Sequence, residues 1–318
     1  MLSRRLLRLK IMQMVYAYFQ RMVGDLNQTE KELFESINKT YELYHYLMLL
    51  LVDIKFYAEK KLDIRKHKFL KSNNPAELSE NFINNKLIKL IENNYMLNTF
   101  INNNKFSWQN HNDVLALLYD DLEKTNEFNQ YLLLPNPNFN DDKEIVNFIL
   151  VEVITNSQGF NQLLEDLSIY WNDDLEFVVS NIIASLSKFE EEKGSDNSLQ
   201  KMYKNNDDIE FTKTLFRKTV LKHDEHAEII QRFLKNWELE RIAQLDIILL
   251  EMAITELYHM QEVPIKVTLN EYIELAKYYS TDKSSTFING ILDKIVHEGK
   301  QEGKIVKKGK GLIGEQTM

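Results

Sequence analysis

Apolar residues recur three and four positions apart over most of this 318-residue chain, a spacing typical of amphipathic α-helices. The first helix is predicted from Ser3 to about Val23. A second opens at Thr29, which has capping-box spacing with Glu32, and continues toward Lys68. Residues 1–298 contain four glycines and four prolines, too few turn residues for a many-stranded sheet. The pattern therefore predicts an all-α protein. Further helices are predicted near residues 114–133, 141–156, 160–170, 172–192, 207–221, 224–235 and 239–260.

Residues 263–295 have the most regular pattern in the chain. Pro264 ends the helix before it, and Thr268 and Glu271 have the spacing of a capping box. A short Ser/Thr run then offers several N-cap oxygens to a last amphipathic helix. Gly290 falls inside that helix, where glycine costs about 1 kcal/mol relative to alanine. We therefore expect another helix to approach closely at this glycine.

The net charge of −9 is unevenly distributed. Residues 1–10 carry four basic side chains and no acid, and residues 299–318 carry five lysines and two acids. Residues 11–298 therefore have a net charge of −16. The acidic total argues against nonspecific nucleic-acid binding, whereas the two basic ends are compatible with a localised polyanion site.

Apolar runs in this chain are short. The longest, Leu47–Val52, is far below the roughly 20 residues that a membrane span requires. The N-terminal segment is basic and then apolar, but Lys10 and Gln13 interrupt it and no small-residue cleavage site follows, so we do not interpret it as a signal peptide. The chain lacks cysteine, which excludes disulfides and cysteine-bound zinc. We expect a cytoplasmic protein without a membrane segment.

Two segments rich in turn residues predict domain boundaries. Two prolines within Leu134–Pro137 disfavour helix, and a charged segment surrounds Gly194. The glycine- and lysine-rich C-terminus has no apolar face that could pack. We expect an N-terminal helical region, an inserted helical region, a C-terminal helical subdomain and a disordered basic tail, at residues 1–134, 138–207, 208–298 and 299–318.

Three arginines, Arg4, Arg5 and Arg8, begin the first predicted helix. The unpaired N–H groups there form a positive pole, so each arginine costs the helix about 0.3–1 kcal/mol. A phosphate group would turn this repulsion into a binding site, because guanidinium and backbone N–H groups both donate to oxyanions. From spacing alone, a solvated basic start remains the preferred interpretation.

A cluster of His223, Asp224 and His226 is the only one with metal-like chemistry. Two histidines are too few for a closed zinc site and no third ligand is indicated, so a solvated helix junction is preferred. The acidic pairs elsewhere lack an accompanying base, phosphate loop or nucleophile. We expect no catalytic residues, metal or cofactor. An all-α metal-dependent hydrolase that uses this cluster is the alternative from another functional class.

Three segments of the sequence resemble the NusB family of transcription antitermination factors. The arginine-rich start, with Gln13 and Tyr16, fits the family's first helix, and residues 236–257 resemble its W-x-L-E-R segment and the apolar helix that follows. The last two helices match the family signature at Asn270, Glu271, Glu274, Leu275, Ala276, Lys277, Phe287, Asn289, Gly290, Leu292 and Asp293. Ordinary members are less than half this length. The resemblance thus implies a NusB-like helical bundle with two helical subdomains and an additional inserted helical region.

By resemblance, the protein is a noncatalytic adaptor. It would bind boxA-type single-stranded RNA together with the ribosomal protein NusE and support elongation by RNA polymerase. The residues placed at the RNA surface are Arg4, Arg5, Arg8, Glu240, Lys283 and Phe287. Asp246 falls on an acidic position that helps to bind NusE.

Several points are left open by the sequence. Periodicity alone assigns Phe287 to the core of the last helix rather than to an RNA surface. A helical protein-interaction module without RNA binding is a further alternative. The acidic body argues against a second RNA groove in the inserted region. We expect a monomer or weak dimer, and we expect the turn with Lys283 to lie beside the N-terminal arginines.

Overall fold

The structure is a computed structural model that describes residues 3–21, 24–67, 75–234 and 242–308. These residues form helices and connecting turns, without a strand, so the all-α prediction is confirmed. None of the described helices has a stretch long and apolar enough to cross a membrane. The α-helices are α1 Arg4–Gln20, α2 Leu26–His67, α3 Lys86–Glu92, α4 Tyr95–Asn104, α5 Asn112–Glu123, α6 Asn126–Leu132, α7 Phe139–Phe148, α8 Gln158–Leu167, α9 Leu175–Leu186, α10 Asn206–Leu221, α11 His223–Phe233, α12 Gln244–His259, α13 Ile265–Tyr279 and α14 Ser284–Gln301. Short 3₁₀ helices occur at Pro75–Leu78, Trp108–His111, Ile169–Trp171 and Glu191–Asp196, and a π-helix at Ile149–Ile154.

Helix α2 begins earlier than predicted. The Asp25 carboxylate accepts hydrogen bonds from the backbone N–H groups two and three residues ahead of it, at 2.8 and 3.1 Å. Thr29 lies inside the first turn, where its hydroxyl donates to the Asp25 carbonyl at 2.9 Å. The predicted capping box of Thr29 with Glu32 is therefore wrong, because an aspartate four residues earlier already satisfies the first amides.

The chain forms two compact units. The insert unit comprises residues 38–202, and the terminal unit comprises the described parts of residues 3–37 and 203–308. This division differs from the predicted regions, since residues 3–37 join the C-terminal part of the chain. The prolines after residue 134 do not separate two bodies. Helices α6 and α7 on either side pack together, and the Tyr131 hydroxyl donates to Asp142 at 2.6 Å.

Asparagine side chains begin several helices of the insert unit. Asn85, Asn94 and Asn138 accept backbone N–H groups at the starts of α3, α4 and α7. Asparagine is a weak helix former but a strong N-cap, so these three positions suit the starts of helices. Beneath them, the buried Trp108 donates its indole N–H to the Tyr46 carbonyl at 2.6 Å.

Helix α12 is the central helix of the terminal unit. Its residues Ile248–Leu257 are all buried, and α1, α10, α11, α13 and α14 pack around it. Helix α1 runs antiparallel to α12, because Arg8 bonds to Glu256 whereas Gln20, near the other end of α1, bonds to Gln244. This arrangement decides which side chains of α1, α13 and α14 reach the surface together.

The described chain after Gly299 packs against the terminal unit. A methyl group added at Gly299 would lie 2.8 Å from Ile305 Cδ1, so glycine lets the buried Ile305 approach. The Lys307 ammonium donates to two carbonyls at the C-terminal end of α12, at 3.0 and 2.8 Å, where the helix dipole favours a cation. These contacts correct the prediction of a disordered tail for residues 299–308. Residues 309–318 lie outside the described part of the chain.

Candidate nucleic-acid interface

The first two arginines of α1 form ion pairs at the surface. Arg4 Nε lies 3.0 Å from Asp208 on α10, and Arg5 donates both sides of its fork to Glu271 on α13 at 2.9 Å. The hydrogen bond to Glu271 raises the pKa of Arg5. The Arg5 side chain nevertheless remains 57% exposed. These carboxylates oppose the positive pole of α1, so a phosphate group must compete with them.

Arg8 is buried, with 2% of its surface exposed. Its guanidinium donates to both carboxylate oxygens of Glu256 at 2.8 and 2.7 Å, and Glu256 also accepts from the hydroxyls of Thr268 and Tyr272. Burial lowers the pKa of Arg8, but the Glu256 carboxylate outweighs it and the pKa is raised. The expected RNA contact of Arg8 is thus corrected, because this side chain joins α1 to α12 and faces no solvent.

Thr268 also differs from its predicted role. Helix α13 begins at Ile265, with Pro264 as its N-cap, so Thr268 lies in the first turn. Its hydroxyl donates to Glu256 at 2.7 Å instead of capping the helix. The predicted capping box with Glu271 is wrong, and Glu271 is the partner of Arg5.

Asp246, near the start of α12, is 5% exposed. One carboxylate oxygen accepts from Ser280 Oγ at 2.6 Å and the other from Ser284 Oγ at 2.7 Å. The Ser284 hydroxyl oxygen also accepts the backbone N–H of Thr281 at 3.2 Å. This position differs from the surface partner contact that we expected. Asp246 holds the turn between α13 and α14, residues 280–284, in place.

Lys283 is the N-cap residue of α14 and is exposed. No side chain caps this helix start, and Lys283 forms no ion pair with any described residue. Phe287 lies one turn further and is half-buried, beside the buried stripe of Ile288 and Ile291. Phe287 therefore lies at the edge of the core, with part of its side chain buried, as the periodicity predicts, and part exposed to solvent.

Gly290 faces open space on α14. It is exposed, and apart from its chain neighbours and the backbone of its own helix, no atom of the described residues would lie within 4 Å of a methyl group added there. The expected close approach of another helix is wrong. Lys283, Phe287, Gly290 and the exposed Lys294 follow one another at intervals of four, three and four residues, so they share one face of α14.

The arginines and the turn between α13 and α14 lie at different levels of α12. Arg8 is bonded at Glu256, whereas the turn is held at Asp246, ten residues and about 15 Å earlier along the axis. Because α1 is antiparallel to α12, the turn is level with the C-terminal end of α1, where Gln20 meets Gln244. The expectation that Lys283 lies beside the arginines is therefore wrong.

His223, which the sequence groups with Asp224 and His226, contacts a carboxylate from a different helix. His223 Nδ1 lies 2.8 Å from Oε1 of the fully buried Glu251, and burial raises the pKa of Glu251 to about 7. Burial lowers the pKa of His226 to about 4. The described residues contain no group of three or more His, Cys, Asp or Glu side chains that could hold a metal. Glu240 lies outside the described residues.

Sequence reasoning missed Glu251 and Glu256, the two acids that hold His223 and Arg8. Their signal was available, because both are charged residues in the mainly apolar run from Ile247 to Leu257. A carboxylate buried in such a run needs a charged or hydrogen-bonding partner from another helix. The sequence therefore indicates that each of these carboxylates has a partner, but it does not identify the partner residue.

Comparisons with known proteins concern mainly the terminal unit. Residues 176–297 match the NusB family, a range that includes Asp246, Lys283 and Phe287 but not the arginines of α1. The transcription antitermination protein NusB of Salinibacter ruber is 47% identical over 109 residues, which are 34% of this chain and 68% of that protein. The protein of the same name from Chloroherpeton thalassium is 50% identical over 84 residues, 26% of this chain and 40% of that protein. A solved structure of T. maritima NusB is 28% identical and covers 45% of this chain and 89% of its own, with a TM-score of 0.30.

Proposed function

The chain belongs to the NusB family, and on this premise we propose that it acts in transcription antitermination by binding boxA-type single-stranded RNA together with NusE. In this role it supports elongation by RNA polymerase and catalyses no reaction. The observation that carries the proposal is the start of α14, where an uncapped helix end, the unpaired Lys283 and the half-exposed Phe287 lie together.

The chemistry of this helix start suits a single-stranded nucleic acid. Unsatisfied N–H groups and the positive pole of a helix favour a phosphate, and Lys283 adds a full charge that forms no ion pair with a described residue. No other aromatic ring or cation of the described residues lies over Phe287, so its exposed part can stack on a base. The buried Asp246 acts by holding the turn in position for both contacts.

A second contact involves Arg4 and Arg5. Both are partly exposed and paired with carboxylates, so a phosphate exchanges one anionic partner for another and gains less than it does at Lys283. Arg4 and Arg5 lie about one turn before Arg8 on α1, so their distance from the turn between α13 and α14 is about 20 Å along the helix axis. Both contacts therefore require an RNA segment that spans this distance.

The distribution of charge supports the terminal unit as the RNA-binding part of the chain. Residues 38–202 contain 16 basic and 25 acidic residues, a net charge of −9, whereas the rest of the chain contains 23 of each. The net negative charge of the protein thus belongs entirely to the insert unit, which disfavours a polyanion there.

The proposal is tested by titrating boxA RNA at several salt concentrations, with and without NusE. We expect Lys283→Ala to weaken binding and reduce the salt slope by about 0.7, the value for one phosphate on a single strand. Phe287→Ala removes a stacking contact and should weaken binding roughly 5- to 150-fold without changing the slope. Lys188→Ala, an exposed lysine of the insert unit, is the matched control.

Two results would contradict the proposal. Wild-type protein that fails to bind boxA RNA even with NusE would favour a protein-interaction module without RNA binding. Equal effects of Lys188→Ala and Lys283→Ala would exclude a specific role for the start of α14. The metal-dependent hydrolase gains no support from the geometry, because His223 is turned toward Glu251 and His226 is buried.

A further inference from the structure

A glycine in the middle of a long helix lowers the stability of the helix. An exposed glycine there indicates that the absence of a side chain has a function. Gly290 is the seventh residue of the 18-residue α14, and its helical conformation needs no glycine, since its φ is not positive. No described residue packs against it. The roughly 1 kcal/mol that glycine costs here relative to alanine is therefore offset neither by backbone geometry nor by packing.

The neighbours of Gly290 indicate what its missing side chain leaves free. Phe287 lies three residues before it and Lys294 four residues after it, on the same face of α14. Phe287 is half-buried, and no atom of its ring lies within 4 Å of where a Cβ on Gly290 would be, so open space separates the two positions. The exposed lysines, Lys283 and Lys294, lie on either side and form no ion pair with a described residue.

We propose that Gly290 is a clearance position, which leaves room for a nucleobase to lie against the helix backbone and stack on Phe287. The inference rests on the proposed function and adds a positioning residue to it. A Cβ would extend about 1.5 Å, one carbon–carbon bond, into this space. The added methyl group would push a flat base away from the Phe287 ring. Lys283 and Lys294 bind the phosphates on either side of that base.

Gly290→Ala separates this role from a structural one, because the two predict opposite results. Alanine improves the helix, and we expect Tm to rise by roughly 2 °C. Affinity for boxA RNA in the presence of NusE should nevertheless fall about fivefold or more, the lower range for one stacked base. Asn289→Ala is the matched control, since it also raises helix propensity but lies on the other side of the exposed face from Phe287.

A double-mutant cycle with Phe287→Ala tests whether Gly290 acts through the ring. We expect the double variant to bind RNA no more weakly than Phe287→Ala alone, because the stacking contact is already lost. Wild-type affinity in Gly290→Ala, an equal loss in Asn289→Ala, or fully additive losses in the double variant would each overturn the clearance role alone. Failure of the wild-type protein to bind RNA would overturn the proposed function and this inference with it.

Discussion

The insert unit and the terminal unit use polar residues in different ways. In the insert unit, asparagines such as Asn85 and Asn94 begin helices, and the buried acid Asp142 accepts a hydrogen bond from a neutral tyrosine hydroxyl. In the terminal unit, a pair of opposite charges is buried, in which Glu256 binds Arg8. Caps decide where a helix begins, whereas buried charge pairs decide which helices lie side by side and at what level. The start of α14 is positioned by a third kind of contact, in which the buried Asp246 carboxylate accepts hydrogen bonds from two serine hydroxyls.

Replacing Arg8 should have the largest effect on stability. Arg8→Met leaves Glu256 buried without its cation, and we expect the free energy of unfolding to fall by about 3–5 kcal/mol in urea denaturation. Adding Glu256→Gln removes the stranded charge and should recover a large part of that loss. A single variant as stable as the wild type would mean that the pair does not hold α1 to α12.

Glu251 should make stability depend on pH. Its folded-state pKa is raised from 4.5 to about 7, so the folded protein binds this proton more tightly than the unfolded chain. The resulting stability is present below pH 4.5 and is lost as pH rises through 7, by up to about 3 kcal/mol. Glu251→Gln lacks this loss, so the difference in unfolding free energy between variant and wild type should increase from pH 4.5 to 8. A difference independent of pH would exclude Glu251 as its source.

His226 supplies an internal check on that pH profile. Its folded-state pKa is lowered from 6.5 to about 4 because burial disfavours the imidazolium. Its stabilising contribution is therefore present above pH 6.5 and lost as pH falls through 4, opposite in sign to that of Glu251. The wild type and Glu251→Gln both contain His226. The difference between their unfolding free energies at a given pH therefore does not include the contribution of His226.

A helix cap of the insert unit should have the smallest effect. Asn94→Ala removes the N-cap of α4 and the hydrogen bond to the Asn197 carbonyl at 2.7 Å, and we expect a loss of about 1 kcal/mol in the same denaturation assay. Asn102→Ala, at an exposed position inside α4, serves as the control for the change in side chain. A loss as large as that of Arg8→Met would remove the distinction between caps and buried pairs.

Much of the candidate site was visible in the sequence. The signature around Phe287 placed the ring at the start of the last helix, and the structure has α14 begin at Ser284. The positions of Arg8 and Asp246 could not be predicted. Whether a charged side chain is exposed depends on partners far away in the chain, and Glu256 is 248 residues from Arg8. Gly290 was misjudged for a related reason, since a glycine in a helix looks the same beside another helix and beside solvent.

The sequence by itself determined the helical fold, the approximate extent of most helices and the family resemblance of the two ends of the chain. These follow from spacings of three and four residues and from local caps, which operate within a few positions. Only the tertiary structure decided that α1 joins the C-terminal helices, that Arg8 and Asp246 are buried, and that Arg8 lies about 15 Å along α12 from the turn. Burial and proximity depend on how helices pack, and the packing partners are set by contacts between residues that are distant in sequence.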